Sequence, residues 1–277
     1  MQFTKMQGCG NDYVYVNCFD EKISEPEEFA KKISDRHFGV GADGLILILP
    51  PLNDDSDAFM QLYNFDGSKA SMCGNGIRCV AKYIYDHGII SKEKRETSID
   101  TPAGIKKISL EIHDGKVTAA TVDMGEAKIT GGIPEKIRVN DMDLNFIGVN
   151  VGNPHAVYFI EDNPEIKNIF SWDDSKFSIT GVKFERHPRF PDRVNSEFIE
   201  IISRDEIKMR VFERGSGETM ACGTGATASA FAGFKAGKLN SEVLVHLRGG
   251  DLKIKIENSQ CFMTGSAVEV FSGEIFL

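Results

Sequence analysis

The chain has 277 residues, 41% of them hydrophobic and 26% charged, an ordinary globular composition that permits one large domain or two of moderate size. Its formal net charge of −9 argues against binding nucleic acid or an anionic membrane through bulk electrostatics. Any anionic ligand must therefore be held by local groups.

Strand signals dominate along the chain. "DYVYVNCF" opens the series, and "LILILP", "FMQLYNF", "TSIDTPAGIKKISLEI" and "KVTAATVDM" continue it, each short, β-branched or aromatic, and broken by Gly, Pro or Asp. Between the first two, "SEPEEFAKKISDRHFG" reads as a helix with Ser24 as N-cap, Glu27 completing a capping box and Gly39 as the stop. The second half adds "NFIGVNVG", "HAVYFI", "EFIEII", "IKMRVFE", "EVLVHL", "DLKIKIE" and "AVEVFSGEIFL". Two further helices follow the turns "SMCGNGIRC" and "ETMACGTGA", and both are apolar almost all round. Such helices are buried on most sides, so each is expected at the centre of a wrapped sheet.

The two halves echo each other. Cys73 to Gly88 spans fifteen residues, as does Cys222 to Gly237, and each cysteine follows a strand and a Gly-containing loop. "GCGNDYVYV" and "NVGNPHAVYF" form a second echo, with Gly-Asn just before an apolar strand. The spacing suggests a duplication into two similar domains, joined near "KVTAATVDMGEAKITGGIP".

The paired Cys-Gly-x-Gly turns carry the chemistry. A helix N-terminus presents unpaired N–H groups and partial positive charge, which bind a carboxylate and favour a thiolate. A cysteine is also a common small buried hydrophobe and Gly-x-Gly a common turn, but two matched copies ask for more than packing. Cys9, Cys18, Cys79 and Cys261 lack the helix-start context and read as packing residues. Neither turn ends in the Gly-Lys-Ser/Thr of a phosphate loop, and "GCGNDYV" opens a strand rather than the helix of a dinucleotide fold. Two opposed acid/base groups suit inversion at a carbon stereocentre, where one sulfur removes a proton from one face and the other delivers one to the opposite face. The six histidines show no metal-ligand spacing and the cysteines no C-x-x-C pair, so neither a metal nor another cofactor is expected. No signal peptide or stretch long enough to span a bilayer is visible, and a reducing, cytoplasmic compartment is expected.

"GCGNDYVYV", "HFGVGADGLILI", "YNFDGSKASMCGNGIRC", "VGNPHAV", "RVNSEFIE" and "ERGSGETMACGTGA" together strongly resemble diaminopimelate epimerase, nearly end to end. The resemblance implies an α+β fold of two pseudo-symmetric domains, each a curled, mostly antiparallel sheet around a central helix, with the active site in the cleft between them. The expected domains are 1–119 with 266–277, the last strand returning to the first domain, and 120–265. The implied activity is pyridoxal-independent interconversion of LL- and meso-2,6-diaminopimelate, on the route to lysine and peptidoglycan. Residue by residue, Cys73 and Cys222 match the catalytic pair, and Gly74–Asn75 and Gly223–Thr224 match the backbone cradles of the reacting carboxylate. Asn11 matches a polar contact near the reaction centre. Asn64, Asn153, Asn195 and Arg214 match the group holding the distal end, with Arg214 as the carboxylate fork. Glu213 and His155 match side chains near the thiols that bind the substrate amine or tune a thiol. One departure is Gly44, where some members carry Gln, so a contact to the distal end would be missing or replaced by water. The expected partner is a small amino-acid substrate, with a homodimer as the assembly and no nucleic acid or membrane. The alternatives are a proline or hydroxyproline racemase, a non-catalytic anion-binding protein, and a redox protein using a Cys73–Cys222 disulfide.

Overall fold

The computed structural model describes residues 1–276. The chain begins with β1 (Gln2–Gly8), β2 (Asn11–Asn17), α1 (Pro26–Ser34), β3 (Gly44–Leu49), β4 (Ala58–Asn64), β5 (Lys69–Ala70) and α2 (Gly74–Asp86). It continues with β6 (Glu96–Asp100), β7 (Lys106–His113), β8 (Lys116–Glu126), β9 (Lys128–Ile129), β10 (Glu135–Val139), β11 (Met142–Asn150) and β12 (Pro154–Phe159). Then come α3 (Asp174–Glu185), β13 (Asn195–Ser203), β14 (Glu206–Glu213), β15 (Gly217–Glu218), α4 (Gly223–Lys235), β16 (Glu242–Leu247), β17 (Gly250–Glu257), β18 (Gln260–Ser266) and β19 (Val268–Glu274). Two compact units result: Met1–Asp123 with the residues from Thr264 onward, and Met124–Met263.

The fold is α+β, and the two units repeat one topology. In the first, the sheet runs β19, β1, β2, β3, β4, β6, β7, β8, with only β2/β3 and β4/β6 parallel and β5 hooked onto β4. In the second it runs β10, β11, β12, β13, β14, β16, β17, with only β12/β13 and β14/β16 parallel and β15 hooked onto β14. α2 packs against β1, β2, β4, β6 and β7, and α4 against β11, β12, β13, β16 and β17. Each central helix ends in the same way. Gly88 and Gly237 take φ of 74° and 71°, and the next residue's N–H returns to the helix, Ile89 to Ile84 O and Lys238 to Gly233 O, each at 2.9 Å. Glycine adopts that left-handed turn at no steric cost.

A second helix covers the outer face of each sheet. α1 packs Ala30 and Ile33 onto Val14, Val16, Leu45 and Leu47, while Ile46 points the other way, against Gly76 of α2. With both faces covered, β3 reads as the unbroken apolar run "LILIL". In the second unit α3 sets Phe177 and Phe184 into an aromatic cluster with Phe146, Tyr158, Phe198 and Phe212. The last strand, β19, pairs antiparallel with β1 from Gln2↔Glu274 to Gln7↔Val268; Leu277, the end of "AVEVFSGEIFL", lies outside the described residues.

Two helix readings need correction. α1 starts at Pro26 with Glu25 as N-cap and no side-chain cap, so Ser24 and Glu27 form no capping box. Proline lacks an N–H and has its φ already helical, which suits it to the first position of a helix. The helix also stops at Ser34, five residues before Gly39, because the Asp35 carboxylate takes the N–H groups of His37 and Phe38 and turns the chain out. α3 was not expected from the sequence. Asp173 caps it by accepting from Lys176 N at 2.8 Å, and Gly181 is required because a Cβ there would meet the Phe212 ring at 2.2 Å.

Candidate active site

Each central helix is capped by its cysteine. Cys73 is extended at φ −139°, ψ 115°, and its Sγ accepts the Gly76 N–H at 3.3 Å. Cys222 repeats this at φ −119°, ψ 109°, accepting the Gly225 N–H at 3.3 Å. A thiol replaces the usual hydroxyl or carboxylate cap, so the sulfur sits at the positive end of the helix beside N–H groups that lack partners within it. Gly74 and Asn75 are buried in the first turn of α2; Gly223 is buried and Thr224 half-buried in that of α4.

The surroundings of the two sulfurs differ. In the first unit the Cys73 thiol donates to Asn11 Oδ1 at 3.3 Å, and Asn11 Nδ2 donates to Asp43 Oδ2 at 2.9 Å. Asp43 in turn receives Arg36, which also pairs with Asp12 at 3.0 Å. Burial, with Cys73 alongside, pushes the Tyr13 phenol far above its usual range, so it stays protonated. The Arg78 guanidinium is fully buried, donating to Gly74 O at 3.2 Å, to Ser266 O at 3.2 Å and to Cys9 Sγ at 3.7 Å. It ties the first turn of α2 to the β1–β2 turn.

In the second unit the neighbours are acidic. Thr224 Oγ1 lies 3.5 Å from Cys222 Sγ and receives Asn153 Nδ2 at 3.4 Å. His155 Nε2 is 2.8 Å from Asn153 Oδ1, and its Nδ1 is 2.7 Å from Glu197 Oε1. Thr219 donates to the Glu213 carboxylate. Burial pushes the Glu213 carboxyl above the normal carboxylate range, against the pull of Thr219 and the Cys222 thiol. Burial, then Glu213 and Glu197, hold Cys222 well above an ordinary thiol, outweighing Thr224 and the Gly225 N–H. The thiolate expected of a helix N-terminus is thus overridden at Cys222 by desolvation and two carboxylates.

The distal-end candidates separate. Asn195 is buried and spends its amide on backbone, Nδ2 to Pro154 O at 2.8 Å and Oδ1 from Arg214 N at 2.9 Å. It positions Arg214. The Arg214 side chain is exposed, with a 3.4 Å contact from Nη1 to Asp192 O, and is available to a ligand. Asn64, half-buried at the end of β4, donates to Ser68 Oγ at 3.0 Å. Asp43, Glu197 and Tyr13 escaped the sequence reading. For Glu197 the strand pairing supplies the signal: its register makes this charged residue the counterpart of Ile46 in the apolar β3.

Gly44 also reads differently in the structure. It pairs with Asn64 across β3/β4, and a Cβ there would lie 2.1 Å from Tyr63 O and 2.9 Å from Tyr13 Cε1. No side chain fits without moving a strand, so glutamine could not simply restore a contact. Gly44→Gln is expected to destabilise the protein by about 1–3 kcal/mol. Thermal unfolding measures this, and an unchanged melting temperature would show that the strand yields freely.

Among the described residues, no helix is long and apolar enough to cross a membrane, and no group of three or more His, Cys, Asp or Glu side chains is arranged to hold a metal ion. A sequence model of the diaminopimelate epimerase family matches residues 3–130 and 147–270. Diaminopimelate epimerases from Agathobacter rectalis and Desulfovibrio desulfuricans are 49% and 46% identical, covering 99% and 100% of this chain and 99% of each relative. One from Methanococcus maripaludis is 44% identical over 99% of both chains. Among solved structures, a probable proline racemase from Agrobacterium radiobacter has a TM-score of 0.73 at 15% identity, covering 100% of this chain and 93% of its own. A PhzF-family protein from Bacillus anthracis has a TM-score of 0.72 at 17% identity, covering 100% and 99%. At these identities the structural likeness concerns the fold alone.

Proposed function

This chain belongs to the diaminopimelate epimerase family, and we propose that it interconverts LL- and meso-2,6-diaminopimelate by two-thiol proton transfer at one α-carbon. The observation that carries the reading is the duplicated cap: two cysteines, each accepting an N–H at the start of a buried helix, at equivalent points of two units with one topology. The enzyme is accordingly an isomerase. In the reaction one sulfur, as thiolate, takes the α-proton, and the other, as thiol, gives its proton to the opposite face. At each cysteine cap the first-turn N–H groups and the helix dipole suit a carboxylate and stabilise a carbanion-like transition state. Neither pyridoxal nor a metal is called for.

The Cys222 half supplies the trigger. Empty, it holds a protonated thiol among acidic groups. A substrate ammonium beside Glu213 cancels repulsion that disfavours the thiolate, so binding itself prepares the base. Arg214 grips the distal carboxylate and Asn64 reads the rest of that end, whereas Asn153, matched to the same group by resemblance, spends its amide on Thr224 and His155 beside Cys222. Since Arg214 is exposed in the empty protein, its contact is worth about 1.5–3 kcal/mol. Arg214→Met should therefore lower kcat/KM by about 10- to 150-fold with the fold unchanged. An unaltered kcat/KM would return Arg214 to the role of a surface charge.

The racemase alternative shares the fold, but the 44–49% identities are to diaminopimelate epimerases and the solved racemase is 15% identical. Parallel assays with LL-diaminopimelate and L-proline test the choice. Turnover of the first alone is expected, and turnover of proline alone would overturn the reading. A cytoplasmic location and a homodimer complete the proposal, the latter checked by light scattering.

A further inference from the structure

The burial of Glu197 is not explained by packing, and the repeated topology supplies a comparison. Tyr13 pairs with Gly44 in β2/β3, and His155 pairs with Asn195 in β12/β13. Two residues further on, Ile46 and Glu197 hold the same place. Each lies under the third residue of its central helix: a Cβ on Gly76 would come 2.7 Å from Ile46 Cδ1, and one on Gly225 would come 2.8 Å from Glu197 Oε1. One unit fills the space with an aliphatic chain. The other fills it with a side chain showing 0% exposure. A buried carboxyl is costly unless its oxygens are bonded, yet Glu197 Oε2 has no hydrogen-bond partner among the described residues. A residue kept only for packing would be apolar here, as Ile46 is.

The bonded oxygen begins a chain. Glu197 Oε1 meets His155 Nδ1 at 2.7 Å, His155 Nε2 meets Asn153 Oδ1 at 2.8 Å, Asn153 Nδ2 donates to Thr224 Oγ1 at 3.4 Å, and Thr224 Oγ1 lies 3.5 Å from Cys222 Sγ. An amide oxygen only accepts, so His155 Nε2 carries a hydrogen toward Asn153. The ring is thereby fixed, and with it the amide and the hydroxyl beside the sulfur. We propose that Glu197 is a positioning residue of the Cys222 half: through His155 and Asn153 it orients Thr224 beside the Cys222 sulfur. The equivalent place beside Cys73 holds no charge, so the two sulfurs are unequal before the substrate arrives. The ionisable groups around Cys222 are Glu213 on β14, Glu197 on β13 and His155 on β12, with the Tyr158 phenol on β12 facing Glu197. Burial first, then the two glutamates, oppose the thiolate.

The kinetic consequence rests on the epimerase reading; the thiol chemistry does not, so the main test uses substrate-free protein. Iodoacetamide is applied across a pH series, and peptide mass spectrometry reads Cys73 and Cys222 separately. In Glu197→Gln, nearly isosteric but uncharged, the half-alkylation pH of Cys222 should fall by about one unit while that of Cys73 stays. Glu197→Asp, which keeps the charge, should leave Cys222 near its wild-type value. If diaminopimelate is turned over, Glu197→Gln should lower kcat about tenfold with KM within about twofold. An unmoved Cys222, or both cysteines moving together, would overturn the proposal. Should the Gln variant not fold, nitrogen NMR of the wild-type imidazole decides: a protonated Nε2 is expected wherever Cys222 resists alkylation, and a bare Nε2 would refute the chain.

Discussion

Cys73→Ala and Cys222→Ala should each abolish epimerisation, lowering kcat by at least about 10³-fold, because the proposed mechanism gives each face of the α-carbon one sulfur as its proton carrier. The expected losses are similar and non-additive, since the sulfurs act as one unit. Cys79→Ala is the control. Cys79 is fully buried within α2, where burial pushes its thiol up to about 11. Its removal leaves only a small cavity, costing about 1 kcal/mol of stability with activity retained. Steady-state assays of the three variants, each checked for folding, make the comparison. Near-normal turnover in Cys222→Ala would remove the second acid/base group from the account.

Exposure to air should inactivate the enzyme reversibly. The proposed mechanism has both thiols serve one carbon, which makes a Cys73–Cys222 disulfide the expected oxidation product. Oxidation then joins Cys73 Sγ to Cys222 Sγ, with dissolved oxygen accepting the two electrons and the thiol protons released. A dithiol should restore activity, since a disulfide is reducible whereas a sulfinic acid is not. Saturating substrate should slow the loss by occupying the space. Peptide mapping of the inactive protein is the check, and finding both cysteines as free thiols there would count against the facing arrangement.

The sequence made some parts of this protein plain and hid others, for physical reasons. The two cysteine turns were readable because an N-cap is a local device: Cys, Gly and the following apolar run fall within a few residues, and the fifteen-residue spacing to Gly88 and Gly237 repeats the helix length. The strand run "LILIL" was readable because both faces are buried. The start of α1 was misplaced because Ser24 and Glu27 satisfy a capping pattern that Pro26, already helical in φ, overrides. α3 went unread because its signal is tertiary. Gly181, a poor helix residue by propensity, is needed for close approach to Phe212. Within the site, residue type did not say where a side chain is spent: Asn195 turns to backbone while Arg214 remains available. Glu197 was hardest to see, because its role depends on His155 forty-two positions away. Only the pairing register reveals it as the counterpart of Ile46.

The central claim is that one α-carbon is inverted by proton exchange with two sulfurs, and incubation of LL-diaminopimelate with the enzyme in D₂O tests it most directly. At early times, meso product should appear carrying deuterium at a single α-carbon, while recovered LL substrate gains less, because the sulfur delivering to the opposite face carries solvent deuterium. Meso product that forms without α-deuterium, or no meso product at all, would contradict the account.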